Sequence, residues 1–186
     1  MKQKLHPPKY PLLLISFLLL SIGSKAQCEL FKSEMIEVQK FMMEVSQITD
    51  SLSTVAESAS HGAHLKSVQS DVRKFEALVA KALTSSEEAA TMSAEAQYYS
   101  EVCGMEGIIS YANAVEDYAT DARDFADEAY INAKQALATK NLGNIRYYVR
   151  KAHVAIQEAQ NAADYAVIAA SNSLAGSIEN SYTKNR

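Results

Sequence analysis

The sequence predicts an all-α chain, an up-down-up-down antiparallel four-helix bundle whose third and fourth helices are rich in alanine and tyrosine. Three observations carry this. All three prolines (Pro7, Pro8, Pro11) stand near the N-terminus. Beyond residue 26, glycine occurs only at Gly62, Gly104, Gly107, Gly143 and Gly176. Glycine and proline are the two residues that most disfavour a helix interior, so their scarcity permits long helices. The stretches between the glycines repeat apolar residues every 3.5 positions, the spacing of helix-on-helix packing.

Residues 1–26 precede the bundle and read as a secretory leader. Lys2, Lys4 and Lys9 make a basic start, Leu12 to Ile22 an apolar run, and Ser24-Lys25-Ala26 a small-residue cleavage site before Gln27. The run is short of the roughly 20 residues a spanning helix needs, so no stable membrane anchor is expected after cleavage. The leader resembles those of secreted Gram-negative bacterial proteins, which implies a periplasmic or secreted product.

Cleavage leaves 14 of the 18 basic residues against all 22 acidic ones, a formal charge of −8. Such a chain is repelled by phosphate backbones and anionic lipid, which argues against nucleic acid as a partner.

The first helix is expected at about 29–58. Phe31, Val38, Val45 and Leu52 form one core row, Phe41, Ile48 and Val55 the second, with Met35 and Met42 flanking. Glu34 interrupts the second row near the expected helix start, where a carboxylate suits the dipole.

The second helix, about 63–100, sets Leu65, Val72 and Val79 beside Val68, Phe75, Ala82, Ala89 and Ala96. Its side chains shrink along its length. Thr84-Ser85-Ser86-Glu87-Glu88 resembles a capping box inside this run, so a local break competes there with a continuous helix.

The third helix, about 108–140, carries Tyr111, Tyr118 and Phe125 beside rows of alanine that include Ala126. The fourth, about 144–175, repeats the theme with Tyr148, Ala155, Ala162 and Ala169. Alanine rows let two helix axes approach closely. The short link 140–144 makes these two helices antiparallel neighbours. A polar, frayed tail is expected over 176–186.

Two cysteines, Cys28 and Cys103, are expected to pair. Export makes oxidation available, and an up-down order brings the start of helix one and the end of helix two to one end of the bundle.

The search for chemistry is mostly negative. No Glu-x-x-His pair, His-Glu-x-x-His, Cys/His zinc spacing, nucleophile elbow or phosphate loop occurs. No catalytic residue, metal site or cofactor is assigned. His61 and His64 read as solvated turn residues, and His153 as a flank of the fourth helix.

The features left for recognition are an acidic face on helix three (Asp117, Asp121, Asp124, Glu128) and the tyrosine pairs Tyr98-Tyr99 and Tyr147-Tyr148. Only one of two adjacent residues can face a core, so one tyrosine of each pair is expected at the surface. Arg146, Arg150 and Lys151 near the start of helix four, with Lys134 and Lys140, make the opposite end of the molecule basic. Self-association fits that polarity. The sequence thus predicts an exported, non-enzymatic interaction or structural module with a protein or small ligand as partner. The competing expectation is a binding protein holding a small apolar or cationic ligand between its helices, where small core residues leave a gap.

Overall fold

The computed structural model describes residues 11–104 and 106–183, with side chains placed for 26–104 and 107–177. Lys2, Lys4 and Lys9 of the expected leader, and the last three residues of the expected tail, lie outside the described residues.

Four helices follow one another: α1 (Pro11–His61), α2 (Leu65–Val102), α3 (Glu106–Ala138) and α4 (Leu142–Thr183). Each packs on its neighbours in chain order and α4 closes on α1, while α2 and α4 meet only weakly across the diagonal. That is the expected four-helix bundle. Gly104 turns the chain between α2 and α3 with φ +67°, a conformation that favours glycine.

Cys28 and Cys103 are bonded, with Cα atoms 5.4 Å apart. They define one end of the bundle, the disulfide end. Equal rise along two antiparallel helices then sets the layers of the first hairpin. Phe31 lies level with Ser100, Met35 with Ala96, Val38 with Ser93, Met42 with Ala89 and Val45 with Ser86. Farther from the disulfide the sizes reverse, with Ala56 level with Phe75 and Ala59 with Val72. All of these side chains are buried. The bulk of α1 fills the space left by the small residues of α2, where the sequence suggests a gap.

The core positions of α1 differ in part from the expected second row. Ile48 of that row is buried, as are Met35, Met42, Thr49 and Ala56, whereas Phe41 and Val55 are only partly so. Thr49 conceals the row in the sequence because it is polar. Its hydroxyl donates to the Val45 carbonyl at 2.9 Å, which satisfies it inside the core. The same device places serines on α2: Ser86, Ser93 and Ser100 donate to the carbonyls of Leu83, Ala90 and Gln97 at 2.7–2.8 Å.

Helix α2 is continuous through 84–88. Ser85 donates to the Glu44 carboxylate at 3.0 Å instead of capping a break, and Lys81 reaches the same carboxylate at 2.7 Å. These bonds hold the Glu44 pKa below its ordinary value, the Lys81 bond first and then the Ser85 bond.

Two further expectations are corrected. In the full chain Glu34 lies inside α1, which runs unbroken from Pro11; removal of residues 1–26 would place it in the second turn. The carboxylate instead faces Glu95 and Glu37, and burial followed by those two charges raises its pKa. The chain also continues as helix beyond Gly176 to Thr183, with Ser177 buried. Gly176 is a packing residue there, because a Cβ would lie 2.6 Å from Ile108 Cγ2.

Candidate interaction surface

Helix α4 has two apolar faces. The inner one, from Ile145 and Val149 to Ala166 and Ala170, is buried. The outer one is a heptad row set opposite to it: Tyr147, Val154 and Ile168 are 55%, 59% and 57% exposed. Asn161 holds the remaining position of the row and is exposed as well. Tyr165, beside the row, is exposed and lies 5.4 Å from the Tyr118 ring of α3. Singly exposed apolar residues are ordinary, but a row at constant heptad spacing repeats the pattern that elsewhere in this chain marks a packed face.

A groove of about 660 Å³ runs along α4 beside α3, with Phe125 and Glu128 on one side and Tyr147, Val154 and Glu158 on the other. It is open to solvent. Arg146, Arg150 and Lys151 also border it. Arg146 Nη2 donates to the Gly62 carbonyl at 3.0 Å, tying α4 to the turn between α1 and α2. Lys151 Nζ sits 5.5 Å from the Tyr147 ring centroid, a cation–π contact that orients both side chains.

The tyrosine pairs divide as adjacent residues must. Tyr98 and Tyr147 are exposed, while Tyr99 and Tyr148 pack against the core, each pair meeting edge to face at 5.6 and 5.3 Å. The pairs lie toward opposite ends of the bundle and form no common patch. On α3, Asp117, Asp121, Asp124 and Glu128 are all exposed, and Asp124 is paired with Arg123 at 2.7 Å. Only Glu128 of these borders the groove.

Charge is polarised along the bundle. At the disulfide end, Lys32 and Lys40 are each paired with a glutamate three residues before, Glu29 at 3.1 Å and Glu37 at 2.8 Å. A second cleft there, of about 380 Å³, is lined by Glu34, Glu87, Glu88 and Glu95. The cations of α4 gather at the other end.

Cys28 and Cys103 form the cross-link described above. The turn histidines do not meet in a ligand set. His61 Nδ1 lies 2.9 Å from the Glu57 carbonyl of its own helix, and His64 is the N-cap of α2. Among the described residues, no group of three or more His, Cys, Asp or Glu side chains is placed to hold a metal ion. His153 is half-buried between α4 and α1, its Nε2 lying 3.2 Å from Ser53 Oγ, and burial lowers its pKa.

The sequence reading identified Tyr147 but missed Val154 and Ile168 as surface residues. The signal was present as constant spacing, yet Asn161 interrupts the row, and the denser alanine rows of the same helix dominate its pattern. Comparison with protein-family models, with curated proteins and with solved structures gave no match.

Among the described residues, no helix is long and apolar enough to cross a membrane. The Cys28–Cys103 disulfide fits a location outside the reducing cytoplasm.

Proposed function

We propose that this chain is exported, that residues 1–26 are removed, and that the four-helix body is a non-enzymatic module which binds protein through the outer face of α4. The observation that carries the proposal is the exposed row Tyr147, Val154, Ile168. The opposite face of α4 already supplies the core, and more than half of each side chain in this second row is left to solvent. Large exposed aromatic and aliphatic side chains flanked by cations are the material of recognition surfaces.

The competing reading, a small ligand held between the helices, gains less support. The bulky side chains of α1 oppose the small ones of α2, and the largest groove described is an open one. Arg146, Arg150 and Lys151 border it, which disfavours a cationic ligand there.

Intact mass of the exported protein tests the leader: a chain beginning at Gln27 is expected, and one retaining residues 1–26 or carrying lipid at Cys28 contradicts it. Affinity capture from the native compartment tests the surface. Wild type should retain a protein partner that Val154→Asp loses, with helical content unchanged by circular dichroism. Equal capture by both forms would sink the assignment of this face.

A further inference from the structure

The outer face of α4 bears opposite charges toward its two ends. Arg146, Arg150 and Lys151 lie beside Tyr147 at the end remote from the disulfide. Asp164, which accepts a hydrogen bond from Ser46 Oγ at 2.7 Å, lies beside Tyr165 and Ile168 toward the disulfide end. The exposed Asp117 and Asp121 of α3 add negative charge on that side. A surface with this arrangement is complementary to itself once turned end over end, which is the condition for a two-fold interface.

We infer that a second copy of this chain docks on the outer face of α4, the two α4 helices running antiparallel about a two-fold axis between Val154 and Asn161. The inference rests on the interaction-module reading and names its partner. Equal rise along both helices sets the register. Tyr147 then lies level with Ile168 of the second copy and Val154 with its Asn161. The two-fold axis sets like flanks of the two helices together, so Arg150, three residues past one row position, meets Asp164 of the second copy, three residues past another. Each residue of the row gains a neighbour, and Arg150 meets an acid. A parallel pairing would instead set Arg150 beside Arg150 and Asp164 beside Asp164. The two asparagines flanking the axis add a polar layer that penalises a shifted register.

Sedimentation velocity of the oxidised, exported protein over a range of concentrations tests this. Wild type should sediment as a reversible dimer. Arg150→Asp and Asp164→Arg should each raise the dissociation constant at least about tenfold, and the double variant Arg150→Asp/Asp164→Arg should restore it. Val154→Asp should give a monomer of unchanged helicity.

Restoration by the double swap requires that the two positions face one another in the complex; partial unfolding of a single variant does not produce it. A wild type that stays monomeric, a dimer indifferent to Val154→Asp, or a double variant no tighter than the singles would overturn the proposal. A monomeric wild type that captures a different protein, and loses it on Val154→Asp, overturns self-pairing while leaving the interaction-module reading intact.

Discussion

Ile108 and Gly176 meet where the start of α3 passes the last turns of α4, so closely that a Cβ on Gly176 would lie 2.6 Å from Ile108 Cγ2. Ile108 is buried and its Cγ2 is a branch at Cβ, so it has little freedom to move aside. Gly176→Ala should therefore destabilise the fold. Overpacking of about 1–3 kcal/mol is set against about 1 kcal/mol of helix propensity gained. Chemical denaturation decides the sign, and a more stable variant would show that α4 detaches from α3 before this contact matters.

The alanine rows of the second hairpin are expected to tolerate size changes poorly. Ala126 is fully buried on α3 and Ala162 is 7% exposed on α4. Leucine at either position should cost about 1–3 kcal/mol by forcing the helices apart. Ala126→Leu should be the more damaging, because Ala162 lies nearer the surface. Denaturant midpoints of the two variants measure the difference.

Reducing the Cys28–Cys103 bond releases a loop closed across 75 residues of sequence separation. Chain entropy sets the resulting loss at about 4 kcal/mol. Helicity in native buffer should survive, because the layers of the first hairpin do not depend on the bond. Far-ultraviolet circular dichroism with and without reductant separates the two effects: a lower midpoint is expected, with little change in the folded signal. Peptide mapping that finds both thiols free in protein taken from its native compartment would remove the cross-link from the functional molecule.

His153 and Glu34 should oppose one another in their response to pH. Burial lowers the His153 pKa below 6.5, so the unfolded chain takes up a proton first as pH falls. Its contribution to stability is complete above that value and declines as pH falls toward the folded pKa. The Glu34 pKa is raised above 4.5 by burial and then by Glu95 and Glu37, so its ionisation above that value disfavours the folded state. His153→Gln should flatten the loss of stability between neutral and mildly acid pH, and Glu34→Gln should raise the midpoint at neutral pH. Thermal scans across pH check both signs.

The legible part of this chain is what repetition encodes. Val38, Val45 and Leu52 on α1 and the alanines of α3 and α4 recur at intervals that only helices can use, and the buried set confirms them. The illegible part depends on local chemistry that cancels a residue's usual preference. Thr49, Ser86, Ser93 and Ser100 read as surface residues until their hydroxyls are seen bonded back to their own helices. Gly176 reads as a helix end until Ile108 is seen against it. The outer row of α4 was readable in principle, yet exposure depends on where neighbouring helices stand, and spacing alone does not supply that.

A heptad repeat looks the same to a partner helix after any shift of seven residues, so periodicity alone leaves the α1–α2 hairpin several ways to align. The crossing gradients of side-chain size work against the alternatives. A shift in one direction would set Ala56 level with Ala82, a layer too small to fill. A shift in the other would set Phe75 level with Thr49 in place of Ala56, crowding that layer. Leu52, level with Val79, is bulky on both sides, but the layers described above divide their bulk unequally between the two helices. Sequence drift can move bulk across a layer, from Phe31 to position 100 for instance, more readily than it can add or remove bulk on one side.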